Sequence, residues 1–192
     1  MKPEIRRLLA ELEQYGQAHD AQQPDHSRRM LNLEPATAEL VSILVQSSRA
    51  RNVLEIGTSN GYSTIWLAAS IAPAGGRVIS IDRNPDKHRM ARENLTQAGL
   101  LEFVDLRAGD ATEVIGALPG PFDFVFFDAD RISAPKQLDL LLPKLARPAL
   151  ILADNALSHP DQIAGYLAAV ESLGFQHVQV PVGKGLSVAL YG

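Results

Sequence analysis

A chain of 192 residues, 46% of them hydrophobic, can bury one substantial core and is the size of a single α/β domain. The absence of cysteine excludes a disulfide framework, a thiolate nucleophile and sulfur-bound zinc, so a metal ion would need oxygen or imidazole ligands. The net charge of −4 speaks against a broad nucleic-acid-binding face. No run approaches the roughly 18 apolar residues needed to cross a bilayer, so the expectation is a soluble, cytoplasmic protein without membrane contact.

In chain order, a helix is predicted from Pro3 to Gly16, followed by a polar loop, QAHDAQQPDHS. Arg6, Arg7, Arg28 and Arg29 lie here and read as solvated side chains. The stretch EPATAELVSILVQSS predicts a second helix, with Pro35 in its first turn and Leu40, Ile43 and Leu44 at helical spacing. Residues 1–34 are read as a helical cap on one domain spanning 1–192.

From Arg51 the pattern becomes short β-branched runs alternating with helical stretches: NVLEIG, GYSTIWLAASIA, RVISID, PDKHRMARENLTQAG, FVDLRAG, ATEVIGAL and FDFVFFDAD. A helical stretch ending near Leu145, then ALILADN and the helix PDQIAGYLAAVESLG, continue it. This alternation predicts a doubly wound, Rossmann-like α/β fold with a mostly parallel sheet. FQHVQVPV and GLSVALYG, separated by Gly183-Lys184-Gly185, predict a closing antiparallel hairpin and a total of seven strands.

Open α/β sheets bind ligands outside the carboxyl ends of their strands, and here those ends are acidic. The first strand ends in Glu55-Ile56-Gly57, and Thr58-Ser59-Asn60-Gly61 leads into a helix beginning Tyr62-Ser63. Glycines at both ends of the loop let the backbone turn sharply and approach a ligand. The second strand ends at Asp82-Arg83, where a carboxylate can accept both hydroxyls of a ribose. The G-x-G-x-x-G spacing of dinucleotide sites is absent, and no P-loop follows any strand, leaving a nucleoside site without a pyrophosphate grip.

The fourth and fifth strands end FVFFDADR and LILADN, which places Asp128, Asp154 and Asn155 together as three oxygen donors. Two carboxylates and an amide suit a hard divalent cation such as magnesium, with room for water and substrate oxygens. The bland alternative is that these residues turn the chain and cap a helix.

VLEIGTSNGYS, VISIDRNP and AGDA resemble the corresponding motifs of seven-stranded class I S-adenosylmethionine-dependent methyltransferases. From Met30 to Asn155 the chain is similar, more closely, to the metal-dependent catechol and caffeoyl-coenzyme A O-methyltransferases. The resemblance implies S-adenosylmethionine as cofactor, a divalent cation, a homodimer and a small hydroxylated acceptor, in particular an aromatic vicinal diol. It implies that Leu31, Asn32 and Leu33 cover the cofactor, that Glu55, Gly57 and Ser63 hold its methionine end and Asp82 its ribose. Ala111, with Gly109 and Asp110, would border the adenine, and Asp130 would face the amino group. Thr58, Ser59, Gly61, Tyr62, Arg83 and Asp128 complete the expected cofactor set.

The family commonly has a lysine, proposed as general base, three residues after the first metal aspartate, where this chain has Arg131. A guanidinium stays protonated, so Arg131 suits an oxyanion or an acidic substrate and not proton abstraction. Asp128, Arg131 and His159 are the candidate catalytic residues. Of the five histidines, only His159 follows the metal loop closely. Two other readings stay open: modification of transfer RNA, since relatives methylate a hydroxylated uridine, and a non-catalytic cofactor-binding protein.

Overall fold

A computed structural model describes all 192 residues. Its chain begins with two helices, α1 (Pro3–Gln22) and α2 (Pro35–Ser47), each entered through a proline in the first turn, where the missing N–H costs nothing. Then come β1 (Asn52–Ile56), α3 (Tyr62–Ile71), β2 (Arg77–Asp82), α4 (Pro85–Gln97), β3 (Val104–Ala108), α5 (Ala111–Ala117) and β4 (Phe122–Phe127). α6 (Ala134–Leu141), β5 (Leu145–Ala153), α7 (Pro160–Ser172), β6 (Gln176–Val180) and β7 (Leu186–Tyr191) complete it.

The strands form one seven-stranded sheet in the order β3-β2-β1-β4-β5-β7-β6. β1 to β5 are mutually parallel, and β7 runs antiparallel to both β5 and β6, as the closing hairpin requires. Strand order reverses between β1 and β4, so the crevice at their carboxyl ends is the natural ligand site. Alternation along the central strands divides the core. Val53, Phe124 and Phe126 face one layer with α1, α2 and α3, while Leu54, Val125 and Phe127 face the other with α6 and α7.

One helical expectation needs correction. α1 does not stop at Gly16 but runs to Gln22, because its polar last turns are held locally: Gln17 donates to Glu13 at 3.1 Å and the His19 ring stacks on Tyr15. Gly16 is needed for another reason. A β-carbon there would lie 2.5 Å from the Asn32 side chain. In α2 the buried face is Thr37, Ala38, Val41 and Val45, whereas Ile43 is 60% exposed. Leu40 and Leu44, at the expected helical spacing, are partly buried against the same core, and Ile43 falls on the outer side.

Val41→Ala should therefore cost about 2 kcal/mol from lost burial and the cavity left behind, and Ile43→Ala less than about 0.5 kcal/mol. Urea denaturation of the two variants checks the assignment; equal losses would contradict it.

Candidate functional site

The strand ends around the crevice are stitched together by backbone bonds. Gly57 N–H donates to Ile81, Asp128 N–H to Ile56 and Asp154 N–H to Phe127, at 2.8–3.0 Å. These bonds fix Gly57, Asp82, Asp128 and Asp154 in one arc at the carboxyl edge. Gly57 has φ +111°, and a β-carbon there would run into the Asp128 backbone.

Beneath the β1–α3 loop lies Glu55, fully buried. Its carboxylate accepts from the Ser63, Thr64 and Ser80 hydroxyls at 2.5–2.6 Å. Burial pushes its pKa up to about 7, against those hydrogen bonds, with the Asp82 charge adding to the rise. Glu55 does not border the open cleft and reaches it only through Ser63. Gly61 likewise lies back from the cleft, packed on Ala91, where a β-carbon would be crowded at 3.1 Å.

Asp82 closes β2 with one oxygen accepting from Ser59 N–H at 2.8 Å and the other from Asn84 N–H at 2.9 Å. A carboxylate offers about four acceptor positions, so two remain for ligand hydroxyls. Asn84 in turn caps α4, and Asp110 caps α5 by accepting from Thr112 and Glu113 N–H. Gly109, Asp110 and Ala111 form the wall that the third strand end presents to the cleft.

The cleft has a volume of about 530 Å³, within the roughly 300–1,000 Å³ usual for small-molecule sites. Met30 to Leu33 cross one side of it. Asp20, on the last turn of α1, holds that segment by accepting from Met30 N–H at 2.6 Å and Leu31 N–H at 2.8 Å. Ser59 Oγ donates to the Met30 carbonyl at 2.7 Å, and Asn32 Nδ2 donates to the Leu12 carbonyl at 2.9 Å.

At the other end stand the oxygen donors expected for a cation. Burial and the neighbouring Asp154, Glu55 and Glu34 charges push Asp128 well above the usual carboxylate range. Burial pushes Asp154 up to about 6, opposed by its backbone hydrogen bond and by Lys184 and Arg131. One Asp154 oxygen, Oδ1, is buried without a partner, and the other accepts from Asn155 Nδ2 at 2.6 Å. No three His, Asp, Glu or Cys side chains cluster together, so the Asn155 amide would have to be the third donor. Two crowded carboxylates, one with a buried oxygen that has no partner, and an adjacent amide fit a hard divalent cation.

Arg131 and His159 both line this end. Arg131 Nε donates to Gln162 at 3.1 Å, and its terminal nitrogens have no protein partner. His159 shares a 2.8 Å hydrogen bond between Nδ1 and Ser158 Oγ. Slight burial, then Arg131, Lys184 and His26, lower the His159 pKa, which favours the neutral ring. Asp130 lines the cleft too, with the hydroxyl of Ser133 and the N–H groups of Ile132 and Ser133 holding its carboxyl below the usual range despite slight burial. Leu31, Asn32, Leu33, Gly57, Thr58, Ser59, Tyr62, Ser63 and Arg83 are also brought to the cleft.

Several residues of the cleft had no sequence signal: His26, Lys87, Gln137 and Lys184. Lys184 comes from the β6–β7 turn and pairs with Glu34 at 2.8 Å. Burial opposes its charge, but Glu34, Asp154 and Asp128 together hold its pKa above the ordinary lysine value.

This strand order, with a glycine loop after β1 and a carboxylate ending β2, defines the class I methyltransferase fold. The O-methyltransferase family profile matches residues 6–180, and the chain belongs to that family. A catechol O-methyltransferase from Niastella koreensis is 36% identical over 132 residues, covering 66% of this chain and 59% of that protein. One from Mycobacterium tuberculosis is 38% identical over 120 residues, covering 62% of this chain and 54% of its own. The chain thus spans little more than half the length of these curated relatives. Among solved structures, an O-methyltransferase from Bacillus cereus in complex with SAH superposes with TM-score 0.78 at 28% identity, covering 97% of this chain and 91% of its own.

Because the folded state holds the Glu55 proton more tightly than the unfolded chain, Glu55 contributes stability at low pH that is lost as pH rises from about 4.5 to about 7. Glu55→Gln should flatten this part of the stability profile by on the order of 3 kcal/mol, read from urea midpoints at pH 5 and 7.5. Parallel profiles for the two proteins would show that Glu55 titrates normally.

Proposed function

We propose that this protein is an S-adenosylmethionine-dependent O-methyltransferase that methylates a hydroxyl of a small vicinal diol with the help of a divalent cation. The observation that carries this reading is the presence in one cleft of Asp82, with two acceptor positions free, and of the crowded Asp128–Asp154 pair beside Asn155. The names of the curated relatives, catechol O-methyltransferases, support the same acceptor class.

In this reading Asp82 accepts both ribose hydroxyls, Ala111 borders the adenine, and Met30 to Leu33 close over the nucleoside. Ser63 Oγ, whose proton is committed to Glu55, turns its lone pairs toward the ammonium of the methionine moiety, with Asp130 supplying the countercharge. Gly57 lets the backbone come close to the same group. The methyl sulfonium is then directed toward the Asp128–Asp154 end.

A divalent cation supplies two things there: it lowers the pKa of the acceptor hydroxyl and fixes its direction of attack. Asp128, Asp154 and Asn155 would hold it. Arg131 cannot take the proton, while His159, neutral and with Nε2 free, can receive it and pass it to solvent. The carbon–sulfur bond breaks as the carbon–oxygen bond forms, and no covalent enzyme intermediate is required.

Calorimetry should show binding of S-adenosylhomocysteine and none of NAD, and Asp82→Ala should weaken that binding by roughly 1.5–3 kcal/mol. Tight NAD binding without binding of the methyl-donor product would overturn the cofactor assignment.

Chelation should abolish methylation of 1,2-dihydroxybenzene while leaving S-adenosylhomocysteine affinity largely intact, and Asp154→Ala should reproduce chelation. Arg131→Lys should preserve or raise activity. Full turnover in excess chelator with no metal in the purified protein would defeat the cation-assisted mechanism.

A further inference from the structure

Beside the donor set for a cation, the cleft carries two cationic side chains that the reaction outlined above does not consume. Arg131 is fixed at Nε by Gln162 from the first turn of α7, so its terminal guanidinium edge is positioned and yet makes no bond to protein. It forms no ion pair with any carboxylate. A guanidinium edge with two parallel N–H donors is the side-chain geometry that matches a carboxylate.

Lys184 is placed with equal firmness. Its own carbonyl accepts from Leu157 and Ser158 N–H at 3.0 Å each, and Ala156 N–H donates to Gly185 at 2.9 Å. These bonds tie the β6–β7 turn to the loop that follows Asp154 and Asn155. The ammonium has three donors and spends one on Glu34 at 2.8 Å. Both cations line the cleft, and both act on Asp154 and on His159. Both therefore stand at the Asp154 end of the cleft, where Arg131 is the one without a carboxylate partner. Apolar surface adjoins it: Ile132, next to Arg131, is 74% exposed, and Leu157, packed on Gly185, is 50% exposed.

We infer that Arg131 and Lys184 form a carboxylate-recognition subsite, and that the acceptor is a vicinal diol on an aromatic ring that also bears a carboxylate. The inference rests on the reading that the acceptor hydroxyls sit over Asp128 and Asp154. A ring carboxylate is favoured over a nucleic-acid backbone because the cleft's cations, Arg83, Lys87, Arg131 and Lys184, form no extended basic face on a chain of net charge −4, whereas polyanion binding draws on many phosphate contacts. The ring then sets its carboxylate against the guanidinium. Lys184 keeps its partner Glu34 and adds a second, charge-assisted hydrogen bond.

The test compares 3,4-dihydroxybenzoate, 1,2-dihydroxybenzene and benzoate on the full chain loaded with magnesium. Binding is read by calorimetry in the presence of S-adenosylhomocysteine, and turnover with S-adenosylmethionine. The acid diol should bind and react with a kcat/KM at least roughly tenfold above the neutral diol, and this ratio should shrink as salt screens the charges. Arg131→Gln and Lys184→Gln should each collapse the ratio by about tenfold, chiefly through KM, and Arg131→Lys should restore part of it. Since Lys184→Gln leaves Glu34 unpaired, the Glu34→Gln/Lys184→Gln double variant should show the same collapse with a normal melting temperature. Equal affinity for acid and neutral diols, no binding of the acid, or an unchanged ratio in the variants would overturn the subsite. Binding of the acid without methylation would leave the subsite standing and instead remove the diol from the proposed function.

Discussion

The carboxyl ends of β1 and β4 approach each other so closely that only a residue without a β-carbon can stand at Gly57. That contact occurs where the strand order reverses, and it sets the spacing of everything around it. The ladder of backbone bonds from Ile81 through Gly57, Ile56 and Asp128 to Phe127 and Asp154 carries this spacing across four strands. Asp82 on one flank and Asp154 on the other thus stand at fixed places relative to one another, independent of the helices that follow. A side chain at Gly57 would push β1 from β4 and separate the Asp82 side of the cleft from its Asp154 side.

The same compactness concentrates like charge. Glu55, Asp128 and Asp154 are all driven upward in pKa, burial being the largest cause in each case. The folded protein holds these carboxyls in an environment that disfavours their ionised forms. Cationic groups relieve the strain, and the chain supplies some of them itself through Lys184 and Arg131. Under the proposed function a sulfonium enters this crevice, and a surplus of buried acid is then a form of preorganisation, since the field is in place before the ligand arrives.

Much of this was legible in the sequence because strand ends in an α/β fold are local events. VLEIG, RVISID, FVFFDAD and LILADN each announce a buried strand, and each ends in the residue that lines or supports the cleft. What stayed hidden depends on contacts between distant segments. Lys184 follows a strand far from Glu34 in the chain, and only the pairing of β7 with β5 brings its turn beside Asp154. Glu55 reads as a ligand residue, yet three hydroxyls from α3 and β2 enclose it. The end of α1 was misplaced because Gly16 is a conventional stop signal, whereas here it makes room for Asn32.

The extra turns of α1 give that helix a role unlike support. The covering segment hangs from Asp20 at its last turn, while the cleft beneath is anchored in the sheet. Helix ends wind and unwind at rates near nanoseconds per residue, far faster than a sheet can rearrange. Unwinding about one turn would release the two N–H groups from Asp20 and leave the ladder of strand ends undisturbed, while the Met30 carbonyl stays tied to Ser59 Oγ in the loop after β1. One side of the cleft is thus hung between a helix end, local and quick, and a loop of the sheet, which is neither.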